Sequence, residues 1–193
     1  MRANSETIAR LLASGRPICL ELGAAGRRVE GWTSIDWKDG NDLSLDITKP
    51  LPFPDNSVDR IYSSHTFEHF SYPRPMTDVL GECMRVLKPG GWIRISVPDA
   101  SIYLKGYLGN DGFDAETWCV VKSAVYGISK IDCANYMAYM NGEHRHMFDE
   151  ENLVTILRRA GFADAAACDF DPELDVPERM FESLYASGSK PSD

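Results

Sequence analysis

Four histidines and a few spaced acids are the residues here whose types could do chemistry. His65 and His69 stand four apart with Glu68 between them, and His144-Arg145-His146 runs into Phe148-Asp149. Imidazole titrates nearest neutral pH, so a positioned histidine suits a general base or an acceptor-orienting group. His65, His69 and His144 are the candidates; the plain alternative for each is a structural hydrogen bond. His-x-x-x-His spacing lacks a closing third ligand, so no metal site is expected. A second group begins at Glu21, inside the apolar run Ile18 to Leu22 and followed by Gly23-Ala24-Ala25-Gly26. A carboxylate there is costly to bury alone and must face a donor or a cation. The small residues after it let backbone approach a ligand closely, or simply make a tight turn.

These groups need elements to position them. Ile18–Leu22 reads as a short buried parallel strand, whose carboxyl end is where open parallel sheets bind ligands. Residues 31–37 form a second strand candidate ending in Asp36-Trp37, and only residues 24–31 separate the two. That leaves at most one helical turn where a parallel crossover usually holds a whole helix. Leu43 to Ile47 makes a short third strand, Pro50, Pro52 and Pro54 an extended loop, and Val58 to Ser64 a fourth strand that exits at His65. From Pro75, the positions Met76, Val79, Leu80, Cys83, Met84 and Leu87 keep helical period. Lys88-Pro89-Gly90-Gly91 ends that helix, and Trp92 to Val97 is a fifth strand. Residues 99–147 carry helical pieces and no clear strand. Asp149 caps a helix stopped by Gly161, and late strands fall near 162–170 and 180–187. Ile8, Leu11 and Leu12 suggest a short amphipathic helix before the first strand.

With 193 residues the chain suits one domain, 1–193, with residues 99–147 as an insertion. A net charge of -9 argues against a nucleic-acid partner, which would need a basic face. Five widely spaced cysteines, with no C-x-x-C pair, read as free thiols in a reducing cytoplasm. The first 15 residues are neither a signal peptide nor a membrane span. The oligomeric state is not legible.

Strand, glycine turn, acid-ended strand, second acid, Leu-Pro-Phe loop and Leu-Lys-Pro-Gly-Gly occur in an order that resembles class I S-adenosylmethionine-dependent methyltransferases, especially small bacterial ones with a shortened first crossover. The resemblance covers residues 17–98, then more loosely 148–162 and the closing strands. It implies an α/β, Rossmann-like, doubly wound and mostly parallel seven-stranded sheet, with an antiparallel last strand and a helical insertion after strand 5. Glu21 and Gly23 match the acid and first glycine of E-x-G-x-G; Ala25 replaces the second glycine, and Gly26 follows. Asp36 matches the acid that takes the ribose hydroxyls, a task suited to a group accepting two hydrogen bonds from a vicinal diol. Trp37 follows it directly. Asp46 with Ile47 matches the adenine-edge position, and Ser64 with His65 the residues near the methionine part and the methyl group. The implied function is methyl transfer from S-adenosylmethionine to a small polar acceptor, a sugar or other small metabolite, at O or N. In-line alignment would supply much of the rate. The insertion is expected to cover the acceptor, with Tyr103, Tyr107, Trp118, Tyr136 and Tyr139 as flat faces. Two rivals remain: a non-catalytic S-adenosylmethionine-binding module, and an NAD(P)-dependent oxidoreductase suggested by Tyr126-x-x-x-Lys130 but lacking G-x-G-x-x-G.

Overall fold

The computed structural model describes residues 2–109 and 129–192. Its strands are β1 (Cys19–Leu22), β2 (Thr33–Asp36), β3 (Leu43–Ser44), β4 (Val58–Ser64), β5 (Leu87–Pro98), β6 (Ala163–Ala167) and β7 (Ser183–Ser189). They form one seven-stranded sheet in the order β3-β2-β1-β4-β5-β7-β6. The first five are parallel, whereas β7 runs antiparallel to both β5 and β6. This is the Rossmann-like mixed sheet expected.

Side-chain alternation divides the sheet's two faces. Leu20, Leu22, Ile35, Ile61, Ile93, Ile95 and Ala186 enter the main core. There they meet Met76, Val79, Leu80 and Cys83 of α2 (Met76–Val86) and Leu153, Ile156 and Leu157 of α5 (Glu150–Arg159). Asp149 caps α5 by accepting from the Asn152 amide at 2.8 Å, as its sequence predicts. The opposite face carries Glu21, Tyr62 and Arg94, which are in register across β1, β4 and β5. It is met by Arg27 and the chain around Leu174–Asp175 rather than by an apolar helical stripe. No helix lies between β1 and β2, in keeping with the abbreviated crossover. The short connection thus leaves a polar layer on that face, and arginines fill it.

Three local expectations need correction. Lys88-Pro89-Gly90-Gly91 does not precede the fifth strand; it lies within it as a bulge. Leu87 already pairs with Val58, pairing resumes at Arg60–Trp92, and the Gly90 amide and Gly91 carbonyl bond Lys190. The third strand stops at Ser44 because Asp46 turns out of the sheet, accepting from both the Thr48 amide and hydroxyl. In α1 (Arg2–Ala13), Ile8 is buried and Leu11 packs on the core, but Leu12 faces solvent.

Within the insertion, α3 (Ala100–Leu108) and α4 (Lys130–Tyr139) pack on each other through Ala100, Tyr103, Cys133 and Met137. Trp118, Cys119 and Tyr126 lie outside the described residues; Lys130 Nζ donates to the Gly109 carbonyl at 2.6 Å. Among the described residues, no helix is long and apolar enough to cross a membrane.

Candidate functional site

Parallel pairing brings the carboxyl ends of β1, β2 and β4 to one edge, and the small-residue turn closes it. The Gly23 and Ala24 amides both donate to the Ile35 carbonyl, at 2.8 and 3.1 Å, which ties the end of β1 to β2. Gly23 has φ +70°, and a Cβ there would lie 2.0 Å from Thr66 Oγ1, so only glycine fits. Ala25 also has positive φ, at +48°. Its amide is held by Asp36, whose Oδ2 accepts from it at 3.0 Å while Oδ1 accepts from the Lys38 amide at 3.0 Å. Asp36 is buried, yet a carboxylate has about four acceptor positions, so both oxygens keep capacity for a further donor. Gly26 donates to Asn41 Oδ1 at 3.0 Å.

Glu21 meets the cation that its burial demands. Arg27 Nη1 donates to it at 2.8 Å, and the same guanidinium reaches the Leu174 carbonyl and lies 5.5 Å over the Tyr62 ring. Burial nevertheless raises the Glu21 carboxyl above its ordinary range, with Arg27 acting against the shift. Ser64 is buried and receives Arg179 Nη1 on both its carbonyl and its hydroxyl, at 3.2 and 3.3 Å. The charge of Arg179 is felt at Glu21, His65 and Glu68 alike.

His65 has φ +50° and donates its amide to the Ser96 carbonyl at 2.8 Å. The Ser183 hydroxyl already donates to the Arg179 carbonyl, so His65 Nε2–H is the donor in their 2.7 Å bond. Burial first, then Arg179, His144 and His69, pushes the His65 pKa down to about 3. The ring is therefore neutral at working pH, and its protonation would not shape a rate profile near pH 7. His69 and His144 lie together, ring centroids 5.2 Å apart, beside the buried Glu68. Burial raises the Glu68 carboxyl to about 8 and lowers the His144 imidazole. His146 stands apart, bonded to Asn152 and packed on Phe148.

The remaining candidates lie further out. Trp37 is 73% exposed, with Lys38 Nζ 5.4 Å over its ring. Asp46 is exposed and engaged by Thr48, while Ile47 belongs to the core. Of the insertion aromatics, Tyr103 is fully buried with its hydroxyl donating to Glu182 at 2.8 Å, and Tyr136 packs on it. Tyr107 and Tyr139 are exposed. Sequence reasoning missed Arg27, Thr66, Arg179 and Ser183. The unpaired acid at Glu21 signalled that a cation was needed, but nothing marked which one.

Residues 30–95 match a protein-family model described as a methyltransferase domain. That segment holds Asp36, Trp37, Asp46, Ile47, Ser64 and His65, and begins after the glycine turn. No curated protein matches the chain significantly. Among solved structures, an S-adenosylmethionine dependent methyltransferase from Mesorhizobium loti aligns at TM-score 0.54 and 17% identity, over 96% of each chain. The 1,6-didemethyltoxoflavin-N1-methyltransferase of Burkholderia thailandensis, solved with 1,6-didemethyltoxoflavin and S-adenosylhomocysteine, aligns at TM-score 0.54 and 18% identity, over 98% of this chain and 78% of that one. A complex between the Haloferax volcanii Trm112 methyltransferase activator and a methyltransferase gives TM-score 0.53 and 18% identity, over 96% of this chain and 89% of that one. The fold is that of these S-adenosylmethionine-dependent methyltransferases, and the methyltransferase-domain match covers residues 30–95 of it.

Proposed function

We propose that this methyltransferase-fold chain transfers the methyl group of S-adenosylmethionine to a small polar acceptor at oxygen or nitrogen. The observation that carries the reading is the bond from the Ala25 amide to Asp36. It fixes the glycine turn against the acid at the edge where the matched segment begins. In this reading Gly23 and Ala25 present backbone to the cofactor, and Asp36 takes the ribose hydroxyls with its remaining acceptor capacity. Arg179, beside Ser64, supplies a cation for the carboxylate of the methionine part. S-adenosylmethionine itself supplies an electrophilic methyl on a sulfonium, so the protein needs alignment and exclusion of water more than acid–base machinery. His65 orients the acceptor through its ring, anchored on Ser183, and the described parts of the insertion, 99–109 and 129–147, form one wall of the acceptor site within the single domain 1–193.

Calorimetry with S-adenosylhomocysteine, S-adenosylmethionine and NAD in parallel tests the reading. Saturating S-adenosylhomocysteine is expected to raise the melting temperature by mass action, and NAD to leave it unchanged. A shift with NAD alone would overturn the assignment. Binding of S-adenosylmethionine without turnover on any hydroxyl or amine acceptor would favour the non-catalytic module.

A further inference from the structure

Beyond the strand edge, three groups able to ligate a metal converge without a hydrogen bond between them among the described residues. The Glu68 carboxylate, a His69 ring nitrogen and a His144 ring nitrogen all lie within 4.8 Å of one another. Hydrogen bonds fix which nitrogens these are. His69 Nδ1 faces the Glu143 carbonyl at 3.1 Å, and His144 Nδ1 faces the Met137 carbonyl at 2.8 Å. A carbonyl only accepts, so each ring carries a proton on Nδ1, and Nε2 is the nitrogen left to bind a metal. His69 Nε2 is 3.8 Å from Glu68 Oε1, too far for a hydrogen bond. Glu68 is 2% exposed, and its Oε2 has no hydrogen-bond partner among the described residues. His65 repeats the pattern. Its Nε2–H is spent on Ser183, and its Nδ1 lone pair lies 4.0 Å from Glu68 Oε1.

A buried carboxyl group whose Oε2 has no hydrogen-bond partner among the described residues, facing imidazole nitrogens at 3.8 and 4.0 Å, is an arrangement that a cation completes by taking the acid as its carboxylate. We propose that Glu68, His69 and His144 form a binding site for a divalent transition-metal ion of the zinc class, with His65 beside it but outside the ligand set. Histidines that bind metal characteristically donate their other ring N–H to a backbone carbonyl or similar acceptor, as His69 and His144 do. Two imidazoles and a carboxylate suit Zn²⁺ or a neighbouring first-row ion rather than Mg²⁺ or Ca²⁺. Metal bonds of about 2.0–2.1 Å would place ligand atoms about 3.3 Å apart in a tetrahedron, so modest side-chain rotation closes the set. Three protein ligands leave an open position, the mark of a reactive rather than a purely structural site. The His-x-x-x-His pair lacks a closing ligand only in sequence. His144, some 75 residues on, supplies it because the Arg145 and His146 amides clamp onto the Glu68 carbonyl at 2.7 and 3.1 Å. The ion would join the segment after α4 to the exit of β4. That its open position takes an acceptor oxygen rests on the methyltransferase reading; metal binding does not.

The test uses the full chain, stripped by chelator and titrated with Zn²⁺ by calorimetry and with Co²⁺ by visible absorption. One Zn²⁺ per chain is expected, with a Co²⁺ d–d band and a raised melting temperature. His69→Ala and Glu68→Gln are expected to weaken Zn²⁺ binding by at least the roughly 10–100-fold that loss of an outer-shell partner costs. His146→Ala is expected to bind as wild type. His69 is partly exposed, so its replacement spares the fold and carries the test where His144→Ala does not fold. Zn²⁺ binding that is absent, or undiminished in both His69→Ala and Glu68→Gln, overturns the proposal. S-adenosylhomocysteine binding by the same samples reports separately on the cofactor site.

Discussion

Removing the Asp36 carboxylate separates two roles that the structure gives it. Asp36 ends β2 and holds two backbone amides, Ala25 and Lys38, each at 3.0 Å. It is also assigned the cofactor ribose. Asp36→Ala leaves both amides at a part-buried edge that water can reach, so each lost bond costs near the lower end of the usual range. A stability loss of about 1–2 kcal/mol follows. Cofactor affinity should fall further, because hydrogen bonds to a charged group are worth about 1.5–3 kcal/mol. At about 1.4 kcal/mol per tenfold, that is roughly a 10- to 150-fold weaker Kd for S-adenosylhomocysteine. Asp36→Asn keeps one oxygen, so it retains one amide and loses the charge; its affinity should fall between wild type and alanine. The assay is calorimetric titration of all three proteins, with urea unfolding to record stability. A well-folded Asp36→Ala protein with wild-type affinity would refute the reasoning. Asp36 would then be a staple for the turn and nothing more.

Two further outcomes follow from packing. Gly23→Ala places a methyl within 3 Å of three Thr66 atoms, at a φ that L-residues avoid, so conformation and crowding together should cost about 2–4 kcal/mol by urea unfolding. Thr66→Gly in the same chain should recover the crowding share and leave the conformational one. Arg94→Met strands the buried Asp175, which would keep the Asp171 amide but lose its guanidinium, so unfolding should be easier by about 3–5 kcal/mol. Adding Asp175→Leu should restore most of that loss, and a single variant as stable as wild type would contradict the burial of this pair.

What could be read in the sequence divides along a physical line. Elements that carry their own signal were legible: β4 from Val58 to Ser64, α2 from its apolar period, and α5 from Asp149 and Gly161. So was the abbreviated link between β1 and β2, because eight residues hold at most one helical turn and not a crossover helix. Features decided by distant partners were not legible. Lys88-Pro89-Gly90-Gly91 has the composition of a stop, yet Lys190 pairs with it and keeps it inside β5. Glu21 announced a need for a cation, but Arg27 and Arg179 are chosen by the fold of the last third of the chain.

The histidines show the same line most sharply. His65, Glu68 and His69 are visible as a local cluster, and local spacing argues against a metal because it offers no third ligand. The tertiary structure changes the question from spacing to proton inventory. Each ring nitrogen that donates to a carbonyl or Ser183 leaves its partner nitrogen as the one able to bind a metal, and those nitrogens face a buried acid. No periodicity or motif encodes that, since it depends on where the carbonyls of Met137 and Glu143 fall. It also bears on the acceptor. A neutral His65 with one nitrogen committed to Ser183 is poorly placed to collect a proton alone. An ion held by Glu68, His69 and His144 would instead lower the pKa of a bound acceptor hydroxyl and remove the need for a strong side-chain base. Methyl transfer to such a hydroxyl would then depend on Zn²⁺ occupancy, whereas transfer to an amine that is already neutral would not.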